Sequence, residues 1–256
     1  MSTDQDDRTP KSAADYYDRA AETWDATHGA ARHNARFARQ VRDHLGALLA
    51  RADRDATALE LGAGTGPYVD IVAPLVARLI ATDLSEGMLA VFARRVRELG
   101  LANVTLLRQD ACDLREVASA SVDVVYSVGL LETVADFNRL FAGCYRLLRP
   151  GGFVAGITSN GDCPWYSLRR KLHGGERHCR TGELATARKL AATLRHAGFS
   201  PPDITYWGAA PPGMQNRALI ALLGGAEAIV APTPLARYLG LLSFRALKAG
   251  VWRPEH

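Results

Sequence analysis

Apolar positions along the chain follow two alternating rhythms. Short apolar runs at Ala56–Leu61, 78–82, Val104–Leu107, Ser121–Tyr126, Phe153–Ile157 and Ile204–Trp207 have the length and β-branched content of strands. Between them the apolar spacing lengthens to three and four. Phe37, Val41, Leu45, Leu48 and Leu49 predict a helix over 33–51. Further helices are predicted over Tyr68–Val76, from a Ser85 cap to about Leu99, up to Leu148, and over 182–197. Glu86 suits the first turn of the second of these and Gly100 its end, while Gly198-Phe199 closes the last. Arg149-Pro150-Gly151-Gly152 predicts a stop and a turn. Strand alternating with helix predicts an α/β fold with a doubly wound, mostly parallel sheet. Residues 214–230 are apolar and predict helical structure, and Leu239–Ala249 fits helix or strand by periodicity.

The first strand runs into the stretch around which the rest is arranged, Glu60-Leu61-Gly62-Ala63-Gly64-Thr65-Gly66-Pro67. Glycines at alternate positions remove the Cβ penalty for positive φ and let a ligand approach the backbone. Pro67 suits the first position of a helix, whose N-terminal N–H groups attract an anion. Alone, this pattern also fits an ordinary glycine turn. About twenty residues on, however, Leu79-Ile80-Ala81-Thr82-Asp83 is another apolar run ending in an acid, where an adenosine-type cofactor presents its ribose hydroxyls. A nicotinamide site would place the third glycine one residue later.

Together, Glu60 to Gly66 and Asp83-Leu84-Ser85-Glu86-Gly87-Met88-Leu89 resemble a class I S-adenosylmethionine-dependent methyltransferase of the small-molecule type. The order of motifs from Tyr16 to Gly152 extends the resemblance over more than half the chain, with Leu148-Arg149-Pro150-Gly151-Gly152 a further family feature. The resemblance implies S-adenosyl-L-methionine as cofactor and a Rossmann-like sheet of seven strands. Its last strand, antiparallel to the one before, would be Leu239–Ala249. Glu60 and the Gly62, Ala63, Gly64 and Gly66 backbone would surround the methionine moiety, and Asp83 would take the ribose hydroxyls. Leu84 and Met88 would flank the adenine, Asp110 and the Ala111 amide would face its edge, and the Ser127 carbonyl would receive the methionine amine. Tyr16, Tyr17, Ala20 and Trp24 form one face of an amphipathic helix. They either pack it onto the body or, as the resemblance implies, close it over the cofactor with Tyr17 near the sulfonium. The implied organisation is one domain over 1–256, with closing helices in 11–52 and lid or substrate insertions at 160–181 and 209–238.

Candidate acceptor chemistry is sparser. Glu132-Thr133 stands where the family often carries a histidine pair, so Glu132 is a candidate base or a solvated acid. His173 and His178 are alternative bases from the 160–181 segment. Trp165, Tyr166, Trp207 and Met214 are candidates for an apolar wall, and Arg169, Arg170 and Arg180 for an anionic group or for a solvated basic face. A small-molecule acceptor, anionic or amphiphilic, taken by a monomer or homodimer, is expected. The alternatives are a family member that uses the bound cofactor to assist cyclisation or decarboxylation, and a cofactor-binding regulatory protein.

Composition trims these readings. At 256 residues, 48% of them apolar, the chain has enough material for a substantial core. A formal net charge of +4, from 31 basic and 27 acidic residues, gives no footprint for nucleic acid. Cysteines at 112, 144, 163 and 179 include no C-x-x-C, so neither a metal site nor a disulfide framework is expected. The acidic, polar start MSTDQDDRTP lacks the core of a signal peptide, and no apolar run approaches the roughly 18 residues of a membrane span. A cytoplasmic protein is the expectation.

Overall fold

A computed structural model describes residues 13–27, 34–166, 168, 184–211 and 213–249. Seven strands form one sheet in the order β3-β2-β1-β4-β5-β7-β6. They are β1 Thr57–Leu61, β2 Arg78–Asp83, β3 Val104–Arg108, β4 Val122–Val128, β5 Leu148–Ser159, β6 Asp203–Trp207 and β7 Leu241–Leu247. The first five run parallel, and β7 lies antiparallel between β5 and β6. The expected mostly parallel sheet with an antiparallel last strand is what the chain forms. β1 and β4 are neighbours although β2 and β3 intervene in sequence, so the strand order reverses at this pair and opens a crevice at their carboxyl ends.

Helices cover both faces of the sheet and give two apolar cores. The described helices are α1 Ala13–Thr27, α2 Ala35–Leu49, α3 Val69–Val72, α4 Glu86–Glu98, α5 Phe137–Leu147, α6 Ala187–His196 and α7 Arg217–Val230. Phe37, Val41, Leu45 and Leu49 are the buried stripe of α2, as their spacing predicts. The Ser85 hydroxyl caps α4 by accepting the Met88 N–H at 3.0 Å.

Three local expectations are corrected. The helix after the glycine loop is a single α-turn, Val69–Val72, followed by a 3-10 turn Ala73–Leu75, because Pro74 has no N–H to continue the ladder. Pro67 therefore precedes the helix instead of opening it. The Arg149-Pro150-Gly151-Gly152 segment does not interrupt its strand: β5 starts at Leu148, which pairs with Val122, and the register shifts before Val124 meets Phe153. Pro150 favours extended backbone before it. A Cβ at Gly152 would stand 2.6 Å from the Asp123 carbonyl oxygen, so only glycine lets the strands close there. Finally, α6 begins at Ala187, where Thr186 accepts the Lys189 N–H.

Between β6 and β7 the chain inserts α7, held down by one buried acid. Glu227 accepts hydrogen bonds from Gln40 Nε2 at 2.7 Å, Arg36 Nη2 at 3.2 Å, and the Gly208 and Ala209 N–H groups at 3.0 and 3.3 Å. This ties α7 to α2 and to the end of β6. Glu227→Ala leaves those donors without their acceptor and should lower stability by about 3 kcal/mol; urea unfolding, read as a drop in midpoint at unchanged slope, measures it.

Candidate functional site

A cavity of about 630 Å³ opens at the carboxyl edge of the sheet, beneath α1. Its floor is the glycine loop. Gly62, Gly64 and Gly66 all have positive φ, and each glycine answers a different constraint. A Cβ at Gly62 would lie 2.6 Å from Leu130 Cδ1, and one at Gly66 would overlap the Phe92 ring. At Gly64 nothing lies within 4 Å of a Cβ position, so the missing side chain is open space lining the cavity.

Three of the loop's N–H groups are bonded within the chain. Gly64 N–H donates to Asp83 Oδ2 at 2.8 Å, Gly66 N–H to the Ala63 carbonyl, and Ala63 N–H to the Thr82 carbonyl. At the short α3, Val69, Ile71 and Val72 donate to Gly66 and Tyr68 carbonyls. These donors are committed within the chain.

Asp83 joins the two crossovers at the crevice. Its Oδ1 accepts the Ser85 N–H at 2.9 Å while Oδ2 holds Gly64. Burial raises its pKa above the ordinary value, against the pull of the Ser85 and Gly64 N–H groups. Glu60 lies beneath the loop, fully enclosed and outside the cavity wall. Burial pushes its carboxyl up to about 8, opposed by the adjacent Tyr126 hydroxyl and reinforced by the Asp83 charge.

Helix α1 covers the cavity with Tyr17 and Trp24, whose rings meet edge to face at 5.4 Å. Three acids at helical spacing latch it to α4. Asp18 Oδ1 accepts from Ser85 Oγ at 2.5 Å and from Gly87 N–H at 2.9 Å, which holds its pKa below the ordinary value. Glu22 pairs with Arg94, and Asp25 with Arg95 and the Thr65 hydroxyl. A Cβ at Gly87 would stand 3.1 Å from Asp18 Cα, so glycine permits this approach.

Of the expected cofactor residues, Tyr17, Gly62, Ala63, Gly64, Asp83, Leu84, Met88, Asp110 and Ala111 line the cavity. Gly66 and Ser127 do not; Val128 and Gly129 line it at the end of β4. Glu132 also lines it, with Oε1 accepting the Ser159 N–H at 2.7 Å.

The expected apolar wall is elsewhere. Trp207 is buried against α2, stacked on His44 at 4.3 Å and donating to Ser243 Oγ at 2.7 Å. Trp165, Tyr166 and Met214 are likewise not part of the lining. Tyr68, Phe37, Val41 and Leu241 supply that wall instead. Arg169, Arg170, His173, His178 and Arg180 lie outside the described residues. Two polar groups had no motif to mark them: the Gln109 amide and the Thr158 hydroxyl are buried in the lining with no hydrogen-bond partner among the described residues. Position was the available signal, since each lies at the carboxyl end of a strand. No cluster of three or more metal-ligating side chains occurs among the described residues.

Residues 59–156 match a family model described as a methyltransferase domain. A malonyl-[acyl-carrier protein] O-methyltransferase of Methylococcus capsulatus is 31% identical over 147 residues, covering 57% of this chain and 52% of that protein. A ubiquinone biosynthesis O-methyltransferase of the same organism is 33% identical over 111 residues, 43% of this chain and 46% of that one. The chain spans about half the length of the curated relatives it matches. A solved SAM-dependent methyltransferase of Thermotoga maritima superposes with a TM-score of 0.61 at 15% identity, covering 91% of this chain and 98% of that one, and so shares the fold.

Enclosed Glu60 gives a pH signature. Unfolded, its carboxyl titrates near 4.5; folded, it titrates at about 8. Between these values the folded chain keeps a proton the unfolded chain has released, so stability falls as pH rises through the window and levels off above it. Asp83 shifts in the same direction. Glu60→Gln should flatten most of that fall, read as melting temperature against pH.

Proposed function

We propose that this chain, which carries a class I S-adenosylmethionine-dependent methyltransferase domain, transfers a methyl group to a hydroxyl or carbon centre of a small organic acceptor. The observation that carries this reading is the open space at Gly64 beside the Asp83 carboxylate, within a cavity that also buries the unpartnered Gln109 amide. An adenosine with a thioether-linked amino acid fits such a site: its ribose brings hydroxyl donors for an acid, and its base brings polar edges.

The residues divide accordingly. Asp83 holds the ribose hydroxyls, Leu84 and Met88 flank the adenine, and Asp110, the Ala111 N–H and Gln109 face its edge. The Gly62–Gly66 backbone with Ala63 accommodates the methionine chain. Glu60 lies beneath it with its carboxyl protonated below about pH 8, and the backbone at the end of β4, where Val128 and Gly129 line the cavity next to Ser127, receives the amine. Tyr17 lies near the reactive centre. When bound, S-adenosylmethionine supplies a methyl group made electrophilic by its sulfonium charge. The chain's own work is to align the acceptor and exclude water, which the Tyr17–Trp24 cover and the walls of Phe37, Val41 and Leu241 favour.

Glu132, fixed by the Ser159 N–H, takes the proton from a hydroxyl acceptor, and Thr158 Oγ1 orients it. Among the described lining residues Asp25, Asp83, Asp110, Glu132 and Asp136 outweigh Arg139. That balance favours a cationic cofactor and a neutral, largely apolar acceptor; an anionic one depends on Arg169, Arg170 and Arg180. His173 and His178 remain alternative bases on the same segment. The whole of 1–256 acts as one domain, with closing helices in 11–52 and acceptor-facing insertions at 160–181 and 209–238.

The direct test is formation of S-adenosylhomocysteine together with a product heavier by one methyl group. Cofactor binding without either product would overturn the reading. Asp83→Ala should weaken S-adenosylhomocysteine binding at least about tenfold by calorimetry, because charge-assisted hydrogen bonds to two hydroxyls are lost. Gly64→Val should do comparable damage, since a side chain there both strains a positive φ and enters the cavity. Glu132→Gln should lower kcat on a hydroxyl acceptor about a hundredfold or more while sparing cofactor affinity.

A further inference from the structure

Helix α7 is apolar on the side it turns away from the protein as well as on the side it buries. Of its fourteen residues, RALIALLGGAEAIV, the charged ones are Arg217 at its start and Glu227, which is turned inward and 5% exposed. Its outer face presents Leu219, Leu222, Ala226 and Ile229 at spacings of three and four, with Leu222 69% and Ile229 74% exposed. A helix apolar all round is ordinarily enclosed. At about 21 Å this one is too short to cross a hydrocarbon layer of about 30 Å. Its face therefore suits a surface lying alongside it.

The 3-10 turn Pro234–Tyr238 widens the patch with Leu235, 58% exposed, and Tyr238. Arg237 stacks over the Tyr238 ring at 4.7 Å and donates to its hydroxyl at 2.7 Å. This pair combines an aromatic body with a cationic tip, the type of side chain that settles at a membrane–water boundary. The sequence from 208 to 249 contains one acid, Glu227, and that one is buried and bonded to Arg36. Exposed Arg217 and Arg237 thus border the apolar face, and the segment from 208 to 249 that builds it brings no exposed acid of its own.

We propose that this face docks on a lipid surface that contains anionic headgroups. Hydrocarbon takes Leu222 and Ile229, and the headgroups meet Arg217 and Arg237. A second copy of the chain is the poorer occupant, because an isologous contact would set the Arg217 and Arg237 of one face against those of the other, with no exposed acid in 208–249 to answer them. Glu227 anchors the face to α2, the helix whose Phe37 and Val41 line the cavity. The docked surface and the apolar wall of the cavity are thus joined through the Glu227 contacts between α7 and α2. Docking does not rest on the proposed methyl transfer, and its failure would leave that reading intact.

The experiment is co-sedimentation of the full chain with phosphatidylcholine vesicles, with and without phosphatidylglycerol, alongside sedimentation velocity without lipid. Partition should favour the phosphatidylglycerol vesicles. Leu222→Ser with Ile229→Ser should lower it at least about tenfold, through loss of two inserted apolar side chains. Both positions are exposed, so melting temperature should be unchanged, and S-adenosylhomocysteine affinity serves as a second check that the double variant is folded. Arg217→Gln and Arg237→Gln should each reduce the preference for anionic vesicles about fivefold. Absence of partition on either vesicle, or partition undiminished in the serine variant, would overturn the proposal. So would a wild-type dimer that the serine variant dissociates, which would give the face to a second copy.

Discussion

The Asp83 carboxylate is the constraint on which the site depends. Its two oxygens accept one N–H from the loop after β1 and one from the turn after β2, at 2.8 and 2.9 Å. These crossovers belong to neighbouring parallel strands, and nothing in the sheet ladder itself fixes how they leave it. A short acid between them sets the position of Gly64 and the Ser85 cap of α4 together. Burial raises the cost of charging this carboxylate, and two backbone donors offset part of it. The same atoms that organise the crevice are thus left with lone pairs toward the cavity.

From α4 the order spreads to the cover. Ser85 accepts the Met88 N–H and donates to Asp18, so the cap of one helix is also the attachment of another. Glu22 and Arg94 are largely exposed, and such pairs contribute little net stability in water. Asp25 is better placed, since Arg95 also donates to the Thr65 carbonyl at 2.8 Å and the Thr65 hydroxyl donates back to Asp25. A cover held by hydrogen bonds and screened charges, with Ala21 the buried residue of its helix, can be released without exposing a large apolar surface. That is a physical requirement of any site that must exchange a bound molecule under a lid.

On the opposite side of α2 the balance is different. Glu227 is enclosed and satisfied by four donors, so the attachment of α7 is specific and costly to break. Its outward face is apolar where α1 is charged. One inserted helix is therefore fixed to the body, while the N-terminal helix is held by interactions that salt and competition weaken.

The fold was legible because its determinants are local and periodic. Short apolar runs placed six strands, spacing of three and four placed the longer helices of the body, Ser85 announced its cap, and the spacing from Gly62–Gly66 to Asp83 marked the crevice. Those signals arise from backbone geometry, which a short window of residues dictates. The cavity's remaining lining was not legible. Gln109, Thr158, Phe37 and Val41 come from separate elements and carry no motif, and Trp207 left the expected wall because Ser243 and His44 satisfy it against α2. The sequence by itself determined which strands and turns exist and where an acid would meet the glycine loop. Tertiary structure alone decided that the Gly64 N–H is spent on Asp83, that Glu60 is enclosed, and that α7 turns its apolar side outward, because each depends on what packs across the sheet and not on neighbours along the chain.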